Sequence, residues 1–189
     1  MTDSPDPIAV ALAVTDVLDA LGVPNTIGGS LASSFAGEPR STVDIDVIAA
    51  LSDEHVVTLV EQLSPRFYVD EDAIRRAIRD RTSVNFIHQD SQFKVDLFVA
   101  GGTPLDLQQI RRRQAVIVGG RTIHVHPPED ILLQKLRWYR AGGEVSDRQW
   151  RDIRGIVRVQ GDALDRGYLR THAPALDVSD LLERAFRDT

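Results

Sequence analysis

The sequence contains no cysteine, which excludes a disulfide framework, a thiolate metal site and a cysteine nucleophile. That agrees with a cytoplasmic protein. No apolar run approaches the length of a membrane span, and the N-terminal MTDSPDP is acidic and unlike a signal peptide, so no membrane partner is expected. A Gly-rich Walker loop, Ser-His-Asp elements at diagnostic spacing and a zinc motif are all missing, as are repeats and low-complexity stretches. An excess of positive charge is also lacking. The net charge of −6 argues against a broad, non-specific nucleic-acid coat, while leaving room for a local basic groove.

What is present suits a globular chain. With 189 residues, 42% apolar and 26% charged, it can form one compact domain or a catalytic domain with a small helical appendage. The pattern alternates between helix and strand. Apolar spacing predicts a helix over 7–21, with Pro7 near its start and Gly22 past its end. A short buried strand is expected at 26–28, a short helix at 30–36 and a strand at 43–49. A helix over 53–63 behind Ser52 follows, then a brief strand at 67–69 and a polar helix at 71–79. Hairpins are expected at 83–99 and at 115–126, the second around Gly119-Gly120, with a helix at 104–112 between them. From Pro127 the character becomes helical, with segments at 128–140, 146–160, 162–171 and 178–187. The expected division is therefore an α/β part, 1–126, and a helical C-terminal extension, 127–189, packed on it.

The stretch GGSLASSFAGEPRSTVDIDVI, from Gly28 to Ile48, carries the most chemistry. A Gly28-Gly29-Ser30 turn opening a helix presents backbone N–H groups and the positive end of a helix dipole to phosphate oxygens. Asp44 and Asp46, at i and i+2 of a strand, point to one face, while Ile45 and Val47 point to the other. A third acid, Asp96, stands in the apolar strand FKVDLFVA. A carboxylate in such a strand is costly unless it is paired, metal-bound or exposed. One shared site for a hard cation such as Mg²⁺, held by carboxylates and substrate phosphates, explains all three. A solvated sheet face is the plainer reading of a D-x-D pair. Taken with the glycine turn, the acids point to metal-dependent nucleotidyl transfer.

These residues resemble the nucleotidyltransferase superfamily in its minimal bacterial form, and within it the AbiEii-type abortive-infection toxins and related small bacterial proteins. The segment PPEDILLQKLRWYRAGGEVSDRQWRDI is similar to that group's helix with a "PED…K" pattern, followed by a helix with "R-D-I". The resemblance covers most of 20–160. It implies a mixed α/β (α+β) sheet flanked by helices with a C-terminal helical extension, and a nucleoside triphosphate and Mg²⁺ (or Mn²⁺) as ligands. Gly29 and Ser30, with Gly28, would hold the β- and γ-phosphates. Asp44 and Asp46 would bind metal, and Asp96 would act as ligand or as base. Lys135 would neutralise the triphosphate, and Asp152 would serve near the acceptor or orient Lys135, with Asp147 as the other available acid. In-line displacement with metal stabilisation of the attacking and leaving oxygens would follow. The implied acceptor is RNA, tRNA especially, and an antitoxin protein is an implied partner. A protein side chain, a small hydroxylated compound, or a binding module without turnover are the alternatives. The larger AbiEii-type toxins have a fuller helical half than this chain.

Other residues admit two readings. Lys135, the only lysine after Lys94, lies near the apolar face of its helix, either snorkelling over Trp138 or aimed into a cleft. Arg40, just before the acidic strand, either reaches the triphosphate or is a surface turn residue. His124 and His126 are read as surface residues rather than metal ligands. Arg111, Arg112 and Arg113 are read as a solvated helix end. Arg75, Arg76, Arg79 and Arg81 are a solvated face or one wall of an acceptor groove. Trp138, Tyr139 and Trp150 are read as core of the helical part.

Overall fold

The computed structural model describes residues 6–38, 44–101 and 104–189. Their contacts divide into two compact units, one made of 6–31 and 44–126, the other of 32–38 and 127–189.

The first unit is built on a mixed sheet of seven strands among the described residues: β1 (Asn25–Ile27), β2 (Asp44–Ala49), β3 (Phe67–Tyr68), β4 (Ser83–His88), β5 (Lys94–Val99), β6 (Gln114–Val118) and β7 (Arg121–Val125). Their order is β3-β4-β5-β2-β1-β7-β6. β2 runs parallel to β5 and β1 parallel to β7; the other neighbours are antiparallel. The two central strands alternate strictly. Ile45, Val47 and Ala49 of β2 and Val95, Leu97 and Val99 of β5 are buried, whereas Asp44, Asp46, Lys94 and Asp96 occupy the opposite face. Period-two patterning thus builds the core on one face and leaves the charged residues together on the other.

Helix α1 (Pro7–Ala20) starts where Asp6 accepts the Ile8 N–H at 3.1 Å and Pro7 takes the first turn. It buries Val10, Val14 and Leu18 and packs on β2 and α3 (Val56–Leu63). The helix expected over 53–63 opens instead as a 3₁₀ turn, Asp53–His55, because His55 Nδ1 takes the Ser52 N–H at 3.2 Å and tightens the first turn. α4 (Glu71–Asp80) buries Ile74, Ala77 and Ile78 and packs on β4. α5 (Pro104–Arg112) precedes β6. α2 (Gly29–Ala36) leaves the end of β1, and the division between the units falls within it, after Leu31.

The second unit is helical: α6 (Pro128–Ala141), α7 (Asp147–Gln160), α8 (Arg166–His172) and α9 (Ser179–Arg187). The helix expected over 162–171 is divided, because Asp165 accepts the Tyr168 N–H at 2.8 Å and caps α8, with a 3₁₀ turn at Gly161–Ala163 before it. The acids of the "PED" segment anchor α8. Glu129 accepts the Asp165 N–H at 3.0 Å, and Asp130, fully buried, accepts the Tyr168 O–H at 2.6 Å. The expectation of a core Trp138 is corrected: it is 58% exposed. The buried stripe of α6 centres on Leu132, Leu136 and Tyr139, and Trp138 lies about a third of a turn round from it. Tyr139 and Trp150 do pack, with ring centres 5.0 Å apart, and the Arg184 guanidinium lies 4.2 Å over Trp150.

No helix among the described residues is long and apolar enough to cross a membrane.

Candidate active site

The acidic face of the first unit is assembled by strand register. Asp46 on β2 is the direct partner of Asp96 on β5, and Asp44 is the partner of Lys94. Asp44 and Asp46 are two residues apart on one strand, so the three carboxylates and one ammonium occupy a single patch of sheet. Neighbouring strands lie about 4.8 Å apart, which brings the Asp46 and Asp96 side chains within reach of one ligand. Asp44 is exposed, whereas Asp46 and Asp96 are half-buried.

The glycine turn meets this patch. The Gly28 N–H donates to the Asp46 backbone carbonyl at 2.9 Å, tying the end of β1 to β2. Gly29 has φ +56°, and a Cβ placed on it would lie 1.6 Å from Asp46 Oδ2. The Asp46 carboxylate is therefore seated against the bare α-carbon of Gly29, the first residue of α2. Only glycine satisfies both the backbone angle and the space. Gly29→Ala should impose about 1–2 kcal/mol of left-handed strain. It should also drive the Asp46 carboxylate away, and a displacement near 1 Å at a reacting centre can cost about 100-fold in rate. A thermal melt beside a turnover assay checks both; an alanine variant matching wild type in each would refute the assignment. Ser30 is half-buried one residue into α2.

Beneath the turn lies a residue whose placement departs from expectation. His126 is buried at 3% exposure, not a surface residue. Its N–H donates to the Ile27 carbonyl at 3.0 Å, extending the β1–β7 pairing by one residue. Its imidazole sits where a Cβ on Gly28 would come within 3.3 Å of it. Desolvation by burial pushes the imidazole down to about 4. Unfolded, a histidine titrates near 6.5, so between those values only the unfolded chain takes up the proton. The stabilisation is complete above about pH 6.5 and is lost as pH falls toward 4, by about 3 kcal/mol in all. In urea unfolding at a series of pH values, His126→Leu should flatten that part of the profile. Parallel curves for wild type and variant would contradict it.

Lys94 shares this acidic patch, and a reading centred on the acids passes it over. Its Nζ lies 2.8 Å from Asp96 Oδ2. The hydrogen bond to Asp96 outweighs burial, the next-largest influence, and with the nearby charges of Asp96, Asp44 and Asp46 it holds the ammonium above its usual range. A signal was available, since Lys94 precedes Asp96 by two residues on a strand and so shares its face.

Two further candidates, Lys135 and Asp152, belong to the second unit. Lys135 and Asp152 form a buried ion pair, Nζ to Oδ2 2.8 Å, with side chains 11% and 9% exposed. Lys135 thus neither snorkels nor stands alone; α6 and α7 point the two side chains at each other, and Asp147 is exposed at the start of α7. Arg40 lies outside the described residues. Arg75 is bound to Glu71 and Asp53, Arg79 to Asp80, and Arg81 to the Ala100 carbonyl. Of that group, Arg76 lines a groove beside β3 and β4, with Tyr68, Asp70, Ser83 and Asn85. Arg113 donates to the Ile110 carbonyl at the end of α5.

The donor set suits a hard cation: oxygen ligands on one face, beside backbone N–H groups. Among the described residues, no three histidine, aspartate or glutamate side chains form a ready-made metal cage. Mg²⁺ does not need one, since one or two carboxylates plus substrate phosphates commonly complete its shell. Asp46 and Asp96 fit that role, with Asp44 beside them.

No protein-family model matches the chain, and no curated protein matches it in sequence. Solved structures do. An antigenic nucleotidyltransferase-like protein from Paracoccidioides brasiliensis matches with a TM-score of 0.61 at 18% identity, over 96% of this chain and 91% of its own. The chain has a nucleotidyltransferase-type fold. Two further structures share this nucleotidyltransferase-type fold. ANT(2")-Ia in complex with adenylyl-2"-tobramycin has a TM-score of 0.58 at 14% identity, over 90% of this chain and 96% of its own. The lincosamide antibiotic adenylyltransferase LnuA, lincomycin-bound, has a TM-score of 0.51 at 12% identity, over 77% and 93%.

Proposed function

We propose that this protein is a nucleotidyltransferase that moves a nucleoside monophosphate from a nucleoside triphosphate to an acceptor hydroxyl. The observation that carries this reading is the register pairing of Asp46 with Asp96 beside the Gly28–Gly29 turn, on a nucleotidyltransferase-type fold. The Gly29 and Ser30 N–H groups at the start of α2 would bind phosphate oxygens, while Gly28, whose N–H is taken by the Asp46 carbonyl, shapes the turn. Asp44, Asp46 and Asp96 would hold Mg²⁺, which when bound supplies charge stabilisation at the phosphoryl oxygens. An acceptor oxygen bonds to the α-phosphorus, the bond from that phosphorus to the bridging oxygen breaks, and pyrophosphate leaves with the electron pair. The acceptor proton would pass to a carboxylate of the patch, and to Asp96 if that residue serves as base rather than as metal ligand, the two roles the resemblance implies for it. Lys135 and Asp152 carry the triphosphate and orienting roles that the same resemblance implies. The AbiEii-type affiliation, with 1–126 as transfer domain and 127–189 as helical extension, belongs to this proposal.

RNA is the acceptor implied by the resemblance, together with a toxin role and an antitoxin partner. A small hydroxylated acceptor is the second reading. It is favoured by the net charge of −6, which opposes a broad RNA surface, and by the tobramycin and lincomycin products or ligands of two similar structures. The deciding experiment offers purified protein, Mg²⁺ and each α-labelled nucleoside triphosphate to total RNA, soluble protein and a small-molecule pool separately, with Asp46→Ala as control. Label entering one pool, and lost in the variant, is the expected result and names the acceptor class. The toxin reading stands only if that pool is RNA. Metal-dependent nucleotide binding with no label anywhere would make the chain a binding module.

A further inference from the structure

Both lysines of this chain, among 22 basic residues, are paired with aspartates singled out above: Lys94 with Asp96 and Lys135 with Asp152. The use of lysine at position 94 has a physical consequence. Arginine would grip a carboxylate in a planar, two-pronged fashion, whereas an ammonium on a flexible stem is a compact point charge that can be exchanged for another cation. Lys94 approaches from two residues upstream on the same strand face, is 40% exposed, and stands in the row next to the Asp46–Asp96 pair, directly beside Asp44. Three carboxylates within one patch repel each other, and a positive charge among them relieves that repulsion.

We propose that Lys94 is the resident counter-ion of the acidic patch: in the metal-free protein its ammonium holds the cation position at Asp96, so that a divalent ion enters with a nucleoside triphosphate rather than alone. The arriving phosphates would give the displaced ammonium a new anionic partner, and Asp96, released from it, would hold the metal. Lys94 is thus a positioning residue, acting through the carboxylates and the nucleotide. The inference rests on the nucleotidyl-transfer reading and deepens it by fixing the order of ligand entry.

Calorimetric titration of Mn²⁺ into full-length protein, with and without a non-hydrolysable nucleoside triphosphate, tests it without relying on turnover. Wild type should bind free Mn²⁺ weakly and Mn²⁺ with nucleotide much more tightly. Lys94→Met should bind free Mn²⁺ about 10- to 100-fold more tightly than wild type, the size expected when a like charge leaves a ligand's neighbourhood. Lys94→Arg, which keeps the charge, should restore weak binding. Unchanged or weaker Mn²⁺ affinity in Lys94→Met, with metal still bound alongside nucleotide, would overturn the counter-ion role and leave the transfer reading intact. Absence of Mn²⁺ binding in every protein, with nucleotide or without, would overturn both. A merely structural lysine would shift the melting temperature without tightening Mn²⁺ binding in the methionine variant and leaving it weak in the arginine variant.

Discussion

On the proposed reading, Asp46→Ala should reduce transfer by about 1,000-fold or more, since the metal ion that Asp46 would hold supplies several kcal/mol of transition-state charge stabilisation and each 1.36 kcal/mol is tenfold. The same variant should keep its stability. Asp46 has Asp44 two residues away on its own strand and Asp96 as its register partner, so deleting its charge relieves repulsion within the patch. Its structural ties through the backbone survive, because the Gly28 N–H donates to the Asp46 carbonyl and not to its carboxylate. The space against Gly29 that the carboxylate occupies is open to the truncated side chain. Transfer measured beside a thermal melt checks the two halves together. A variant that unfolds, or one that turns over at the wild-type rate, would show that Asp46 belongs to the scaffold and not to a metal site.

How far the sequence exposes this site depends on the range of each interaction. The strands bearing the acids are legible because their patterning is local: DIDVIA and KVDLFV alternate with period two, and burial follows that alternation residue by residue. The pairing of Asp46 with Asp96 is not local. Fifty positions separate them in the numbering, and no pattern within either strand dictates that β2 and β5 run side by side in that register. Lys94 fell between the two cases: its face was readable from its spacing to Asp96, but its importance depends on Asp44 and Asp46 across the strand boundary. His126 reads as a strand-end surface residue by composition, yet one further backbone hydrogen bond to Ile27 carries it under the glycine turn. Trp138 errs the other way, because an aromatic residue near an apolar stripe reads as core until the stripe's centre is known. The helix start at Ser146 is local by contrast, because its side chain accepting the Gln149 N–H decides it.

The buried Lys135–Asp152 pair yields the largest expected change in stability. Both side chains are about nine-tenths buried, and removing one partner leaves the other charge in a poorly solvating interior. Lys135→Met or Asp152→Leu alone should therefore cost about 3–5 kcal/mol. The double variant should recover most of that loss, because packed apolar side chains of similar volume often equal or exceed a buried ion pair. Urea unfolding of wild type, both singles and the double gives the coupling energy directly. Additive losses would mean that the pair contributes nothing as a pair. The folded double variant then separates structure from function, which a destabilised single alanine cannot do. If Lys135 serves the triphosphate, as the resemblance implies, nucleotide affinity stays low in the double variant even though stability has returned. If affinity returns with stability, the pair is a strut between α6 and α7, and the triphosphate must find its positive charge elsewhere, with Lys94 as the first candidate.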